Sequence, residues 1–236
     1  MNNPADLIAP WRGEMAVAEL AAVYRGSGGA NSWQRQPAHK IVGGCRVVLA
    51  DRILDAHRWP VVLPASTPHR LVAVSQPLTM MFLDSRRYQC NEAVRLADSW
   101  RTRRLHLASA ATLLEDIVSI PPRVLDERLP IVLRHFHDGD SLPVSASQVG
   151  LSASRASHLF TEQLDASVQD WRHWIRLRRA IDLMAGDSDV TQSAHDSGFA
   201  DASHFWRICR NMLGLRPSVL KQIRLTNLAP AGASCL

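Results

Sequence analysis

The chain has 236 residues, of which 46% are apolar and 21% are charged, a composition that is typical of folded proteins and excludes a largely disordered one. This length exceeds the usual size of one domain, so we expect two. Four scattered cysteines without a Cys-x-x-Cys pair exclude a disulfide scaffold and a zinc site of that type. The formal net charge of +5 favours a polyanionic partner but does not establish one.

Neither a membrane span nor a secretory signal is visible in the sequence. The longest apolar runs fall far short of the ~20 residues that a membrane-spanning helix needs. The first residues show no basic segment followed by an apolar one. We therefore expect a cytoplasmic protein with no membrane partner.

Short apolar runs with strand character extend from about residue 15 to residue 84. Turn-forming clusters such as RGSGGANS, VGG and PAST separate them. A spacing of about ten residues per strand predicts an antiparallel sandwich or barrel. The first run, from Met15 to Tyr24, is rich in alanine and fits a helix as well as a strand.

The apolar period becomes helical after about residue 100. Leucines at 105, 107, 113 and 114 share one face of a helix predicted over about 104–119, before Pro121 and Pro122. That face could equally pair with its copy in a second chain or pack on the β-rich half. A further helix follows and ends at Gly139.

The sequence between 141 and 164 predicts two helices joined by a tight turn. Ser141 can cap a short helix that has Pro143 in its first turn and runs to Val149. Gly150 then makes the turn, and Ser152 caps a second helix, ASRASHLFTEQL, whose polar residues are free to face outward.

The same design recurs further along the chain. Asp189 caps a short helix, Gly198 makes the turn, and Asp201 caps the helix ASHFWRICRNML. One long helix, roughly Val168 to Ala185, lies between the two units, with Arg172, Arg176, Arg178 and Arg179 on its predicted exposed side. Such a spacer could place two readers in successive major grooves, ~34 Å apart.

These stretches give residues 128–223 a resemblance to the DNA-binding domain of the AraC/XylS family of transcription regulators. GLSASRASHLF, RLRRAIDLM and GFADASHFWRICRNMLGLRPSVL match its pattern. The resemblance implies base-facing residues on both second helices, with Arg155 turned toward the DNA backbone and Trp206 beside the second set: Ser154, Ser157, His158, Ala202, Ser203 and Arg207. Arg207 is the best candidate for guanine readout, and Arg172 and Arg176 are expected to contact phosphates.

The sequence departs from the family at three core positions. Ser145 and Ser193 stand where a bulky aliphatic residue is usual, and Cys209 stands where an aromatic one is. Each change removes apolar burial worth about 1–3 kcal/mol, so we expect the short helices to be less stable than in a typical member.

In the first half, VVLPASTPHRLVAV resembles the second motif of cupin barrels, and SWQRQPAHKIV stands in the place of the first. Only His69 matches a metal-ligand position, because Gln34 and Gln36 occupy the places of two histidines. We favour a His69 that is hydrogen-bonded to backbone, and no metal or other cofactor. The barrel mouth is instead predicted to hold a small molecule, with Trp33, Trp59 and Met80 as walls and five polar contacts: Gln34, Gln36, His39, Arg46 and His69.

The sequence thus predicts a two-domain α+β protein, with a cupin-like antiparallel β-barrel followed by an all-α domain that contains two helix-turn-helix units. The expected parts are a sensor or dimerisation domain at 1–100, a helical linker at 101–124, the DNA-binding domain at 125–225 and a tail at 226–236. The predicted function is a homodimeric regulator that binds double-stranded DNA and responds to a small-molecule effector, and that is not an enzyme. The alternative is a metal-dependent cupin enzyme with a vestigial helical domain.

Overall fold

A computed structural model describes residues 11–72, 77–103, 108–185 and 189–227. A β-rich half comes first and a helical half follows. The strands are β1 (Arg12–Ala18), β2 (Ala21–Ser27), β3 (Ala38–Gly43), β4 (Arg46–Val48), β5 (Ile53–Asp55), β6 (Val61–Leu63), β7 (Arg70–Val72), β8 (Leu78–Asp84) and, near the C-terminus, β9 (Ile223–Asn227). The helices are α1 (Cys90–Arg103), α2 (Ala110–Val118), α3 (Arg128–His137), α4 (Leu142–Ser147), α5 (Ala153–Leu164), α6 (Val168–Ala185), α7 (Val190–Asp196), α8 (Ala202–Leu213) and α9 (Pro217–Leu220).

The strands form two sheets rather than the closed barrel that the sequence predicted. One sheet has the order β6-β3-β8-β2-β1-β9 and the other the order β5-β4-β7. Two causes prevent closure. Strands β4 to β7 have three residues each and offer only short ladders, and β9 pairs in parallel with β1 at the edge that a closing strand would need. The parallel pairing of β9 with β1 also makes the larger sheet a mixed one, because its other pairings are antiparallel.

The alanine-rich first run is a β-hairpin and not a helix. Strands β1 and β2 pair from Arg12 opposite Ser27 to Ala18 opposite Ala21. The small side chains of Ala16 and Ala21 are buried where α2 packs on this hairpin. The strand alternative for this segment is therefore confirmed.

The leucine-rich face predicted for a helix over about 104–119 lies on α2 and packs against the β-rich half. Leu113, Leu114 and Ile117 are buried in one cluster with residues of β1 and β2, so the packing alternative is confirmed. Of the helix predicted over 104–119, residues 104–107 lie outside the described ranges. Helix α1 was not predicted, because its buried side is formed by small residues, Ala93 and Ala97, that give only a weak apolar period.

Helix α6 has the predicted bounds and joins the two halves of the molecule. Trp171, Trp174 and Leu177 are buried in the same apolar core as Met15 and Phe82 of the large sheet. Each such side chain contributes about 1.5–3 kcal/mol when fully buried.

The C-terminal end of the helical half pairs with the large sheet through β9, which includes residues 226 and 227 of the predicted tail. Residues 228–236 lie outside the described ranges. Among the described helices, none has the length and hydropathy that a membrane crossing requires.

Candidate functional site

The first helix pair, α4 and α5, follows the predicted local design. The backbone N–H of Arg155 donates to the Ser152 hydroxyl, which caps α5 as predicted. Gly150 in the turn has a φ of 67°, a conformation that glycine adopts without strain. Ser141 begins α4 with extended backbone, but its side chain makes no capping hydrogen bond.

The second helix pair, α7 and α8, repeats this arrangement. The side chain of Asp189 accepts from the backbone N–H of Thr191, and that of Asp201 accepts from the N–H of His204. Both predicted caps are confirmed. The His204 ring lies edge-on to the rings of His173 and Phe199, at centroid distances of 5.6 and 5.5 Å, so it packs against α6 and the turn between α7 and α8.

Both second helices present a polar N-terminal half. On α5, Ser154, Arg155 and His158 are exposed and Ser157 is half-buried, while Leu159 and Phe160 are buried. On α8 the pattern is the same: Phe205 and Ile208 are buried, Trp206 is half-buried, and three predicted readers are exposed, namely Ala202, Ser203 and Arg207. Each helix therefore keeps a free face for a partner and uses the opposite face as core.

The arginines of α6 are less available than predicted, because only Arg179 is exposed. Arg172 donates a 3.2 Å hydrogen bond to the Asp140 carbonyl oxygen, and its guanidinium lies 5.4 Å from the centre of the Phe136 ring. Arg176 is half-buried beside the Gly198 turn. Arg178 donates 2.6 Å to the carbonyl oxygen of Ala18 on the β1–β2 turn. These side chains hold α6 against its neighbours.

Gln34 and His69, two of the predicted pocket residues, belong to a buried polar cluster in the β-rich half, whereas His39 lies on the opposite face of β3 from Lys40 and accepts from the Ala65 N–H. Gln34, Gln36, His39 and His69 are at most 3% exposed. The backbones of Gln34 and His69 pair in an isolated bridge, and His69 Nδ1 lies 2.8 Å from the Thr67 carbonyl oxygen, which is the expected backbone hydrogen bond. Three buried atoms of these side chains have no hydrogen-bond partner among the described residues: Gln34 Nε2, Gln36 Oε1 and His39 Nε2.

Lys40 stands at the centre of this cluster, and the sequence analysis missed it. Its ammonium donates to Gln34 Oε1 and lies 3.2 Å from His69 Nε2, over the face of Phe82. The side chain is fully buried, and burial lowers its pKa to about 7, although Cys45 acts in the other direction. Burial, followed by the nearby Lys40 charge, lowers the pKa of His69 to about 3, so its ring is neutral at pH 7. The one feature of the sequence that could have indicated Lys40 is that it is a single lysine within an otherwise apolar strand, β3.

Other predicted pocket residues do not meet in this cluster. Arg46 points away, with 56% of its side chain exposed and a 3.9 Å contact to Asp55. It lies on β4, in the smaller sheet, and the prediction that it lines the pocket is wrong for that reason. Trp33 and Trp59 are each 46% exposed, whereas Met80 is buried. Within the described ranges, no three His, Cys, Asp or Glu side chains are grouped so that they could share a metal ion.

A loop of the β-rich half, residues 31–35, is bonded to the C-terminal end of α8. The backbone N–H of Arg35 donates 2.8 Å to the Asn211 carbonyl oxygen, and that of Ser32 donates 3.2 Å to the Gly214 carbonyl oxygen. Arg210 Nε donates 3.2 Å to the Ser32 hydroxyl. Beside these contacts the 31–35 loop, α6 and α8 line an open groove with a volume of about 370 Å³.

Comparison with protein families identifies the type of domain that this helical region forms. Residues 145–223 match the model of a helix-turn-helix domain. Uncharacterised HTH-type transcriptional regulators of Staphylococcus aureus strains MSSA476 and N315 are each 33% identical to this chain over 84 residues, which is 35% of this chain and 11% of theirs. This chain thus spans about a tenth of the length of those relatives.

Solved structures share the overall fold. ToxT of Vibrio cholerae strain SCE256, as an apo lysine-to-alanine variant, superimposes with a TM-score of 0.54 at 13% identity, covering 84% of this chain and 94% of ToxT. Wild-type ToxT with a bound unsaturated fatty acid gives a TM-score of 0.52 at 15% identity, covering 84% and 93%. The resemblance is confirmed for the helical half: residues 145–223 match an AraC-type helix-turn-helix domain, which follows a β-rich N-terminal domain in a fold that ToxT shares.

Proposed function

We propose that this chain binds specific sequences of double-stranded DNA in the cytoplasm, with α4/α5 and α7/α8 acting as two helix-turn-helix units. One observation carries the proposal. The N-terminal half of each helix keeps one exposed face, which presents Ser154, Arg155 and His158 on α5 and Ser203 and Arg207 on α8, while the opposite face is buried. Exposed N-terminal residues on the second helix of such a unit are what a major groove can accept. The long helix α6 would set the distance between the two readers.

Base contacts would come from short side chains on α5 and from one long side chain on α8. Arg207 is exposed, and its position in the second turn of α8 favours bidentate donation to guanine. Ser154, Ser157 and His158 would read the other half-site, and Ala202 and Ser203 would contact bases beside Arg207. Trp206 would pack against the DNA backbone at the edge of this surface.

Phosphate contacts would fix the register of the two readers on the duplex. Arg155 is exposed and suits this role directly. Arg172 and Arg176 are half-buried on α6. We therefore propose that they contribute positive charge close to the DNA while also holding α6 in place.

The β-rich domain would report the presence of a small molecule to the DNA-binding domain. The buried side chains of Gln34, Gln36 and His39 support this proposal, since each has one polar atom without a partner in the part of the chain that the structure describes. The fold shared with ToxT, one structure of which carries an unsaturated fatty acid, also supports it. A response requires that the ligand bind two arrangements of the protein with different affinity. A homodimer would need a surface other than the apolar face of α2, which β1 and β2 cover.

Selection from a random duplex library tests the proposed function. The wild-type chain should enrich one sequence with two short half-sites whose centres are about 10 base pairs apart, one helical turn. A double variant that removes one proposed base contact from each reader, His158→Ala with Arg207→Ala, should lose the preference at one base pair in each half-site. A wild-type protein that binds all duplexes equally would overturn the proposal.

A further inference from the structure

Lys40 brings an amino group into the interior of the β-rich half without a carboxylate beside it. Its side chain is fully buried, and among the described residues no Asp or Glu forms an ion pair with it. In the register of the large sheet it stands opposite Leu63 of β6 and Phe82 of β8, which are both apolar. Because an unpaired charge is costly to bury, the folded arrangement favours the neutral amine over the ammonium.

The polar groups around Lys40 Nζ also match a neutral amine. Gln34 Oε1 and His69 Nε2 each lie 3.2 Å from Nζ. Because His69 Nδ1 lies 2.8 Å from the Thr67 carbonyl oxygen, the ring proton belongs on Nδ1, and Nε2 is an acceptor. These two acceptors satisfy the two N–H bonds of an amine. The third N–H of an ammonium is left with the face of Phe82, whose ring centre lies 4.9 Å from Nζ.

Two other titratable side chains face Lys40, and neither changes its charge just above pH 7. Burial, followed by the Lys40 charge, lowers the pKa of His69 to about 3. Burial raises the pKa of the Cys45 thiol to about 12, although Lys40 acts in the other direction. Burial lowers the pKa of Lys40 itself to about 7. A proton taken up or lost by this cluster near neutral pH therefore belongs to Lys40.

The side chain that accepts from Lys40, Gln34, belongs to the 31–35 loop, which is bonded to α8. The backbone N–H of Arg35, the next residue, donates 2.8 Å to the Asn211 carbonyl oxygen near the end of α8. Gln34 also borders the open groove between this loop and α8. It therefore stands between Lys40 and solvent. A loop displaced from α8 would remove this acceptor and admit water to Nζ.

We propose that the 31–35 loop is a proton-operated latch on α8, which stays closed while Lys40 is a neutral amine and is released when Lys40 takes up a proton. In the released form Lys40 is hydrated and holds a proton as an ordinary lysine does. The open form therefore binds the proton more strongly than the closed form, and this difference shifts the population between them. Because α8 carries the second proposed reader, the latch would make the hold on that reader depend on pH. This latch goes beyond the proposed function, since it needs neither DNA nor a small molecule to operate.

Amide hydrogen exchange of the full chain from pH 7 to pH 8.5 tests the latch, once the rates are corrected for the intrinsic pH dependence of exchange. The Arg35 N–H is protected while it is bonded to the Asn211 carbonyl oxygen, so its protection reports the ratio of closed to open forms. In the wild type this protection should rise about tenfold or more across the range, because the open form binds the extra proton. Lys40→Met should show no such rise, since the titrating group is gone.

Two comparisons separate the latch from global unfolding and from a mere loss of contact. The Arg35 N–H should exchange about tenfold or more faster than the N–H of Met81, which is buried on the inner strand β8. Ser32→Ala removes the hydroxyl that accepts from Arg210 Nε, and it should lower Arg35 protection by the same factor at every pH. Arg35 protection equal to that of Met81, or equally steep profiles in wild type and Lys40→Met, would overturn the latch. A flat wild-type profile would do so without any variant.

Discussion

Trp174 on α6 donates a 3.2 Å hydrogen bond from its indole Nε1 to Oδ2 of Asp84, at the end of β8. Both side chains are 2% exposed, so the bond lies inside the junction of the two domains. Asp84 Oδ2 also accepts from Arg86 Nη2 at 2.9 Å. A buried carboxylate with two such donors fixes the position of α6, and therefore of both helix pairs, on the large sheet.

Trp174→Phe should lower the free energy of unfolding by about 1–3 kcal/mol, because it removes the indole donor from a buried carboxylate. Chemical denaturation of the full chain measures this loss. Trp206→Phe is the matched control, since Trp206 is half-buried on α8 and its loss should cost well under half as much. Equal losses in the two variants would show that the bond to Asp84 does not stabilise the junction.

Ser193→Ala should stabilise the protein by about 1 kcal/mol, because the Ser193 hydroxyl is buried and has no hydrogen-bond partner among the described residues. Ser145 is the matched position on α4: it is equally buried, but its hydroxyl donates 2.9 Å to the Ser141 carbonyl oxygen. Ser145→Ala should therefore give no gain. Thermal unfolding of both variants checks this, and a gain from Ser145→Ala alone would contradict the assignment.

Lys40 should make stability rise with pH just above neutrality. Its pKa is about 7 in the folded chain, against 10.5 for an ordinary lysine, so above pH 7 the unfolded chain binds the extra proton. One pKa unit corresponds to about 1.4 kcal/mol, which gives a rise of about 2 kcal/mol between pH 7 and pH 8.5. Urea unfolding across that range should show the rise in the wild type and lose it in Lys40→Met.

The comparison with Lys40→Met removes the effects of other groups. Burial raises the pKa of the Cys45 and Cys209 thiols to about 12, and these groups lower stability as pH passes the ordinary thiol pKa. Their contribution is shared by the two proteins and cancels in the difference. Parallel pH profiles for wild type and Lys40→Met would refute the assigned pKa.

Gly214→Ala should destabilise the contact between α8 and the 31–35 loop. Gly214 has a φ of 71°, and an added Cβ would lie 2.9 Å from the Ser32 carbonyl oxygen. Gly139→Ala is the control, because Gly139 has a φ of 98° and nothing within 4 Å of the added carbon. We expect the unfolding free energy to fall by about 1 kcal/mol in the control and by at least twice that in Gly214→Ala. Equal losses would mean that the loop does not approach α8 this closely.

The helical half was predictable because its signals are local. The caps at Ser152, Asp189 and Asp201, and the apolar period of α6, each depend on residues within one or two helical turns. Their order along the chain was sufficient to identify the helix pairs. The exposure of Arg207 and the burial of Phe205 likewise follow from the apolar period of α8.

The contacts between the halves were not predictable, because they join residues distant in sequence. Nothing near Arg178 indicates that its guanidinium binds the Ala18 carbonyl oxygen, 160 positions earlier. The pairing of β9 with β1, which leaves the large sheet as an open layer, depends likewise on tertiary structure. The burial of Lys40 follows from the same packing, since its strand lies between β6 and β8.

Binding of Arg207→Ala to the selected duplex and to a random duplex tests the central claim most directly. If α8 reads bases, the variant should lose about 1–3 kcal/mol on the selected duplex, relax the preference at one base pair and leave random binding nearly unchanged. Arg155→Ala should instead weaken binding to both duplexes and reduce its salt dependence. An Arg207→Ala variant that weakens both duplexes equally would contradict the account, because α8 would then contribute charge alone.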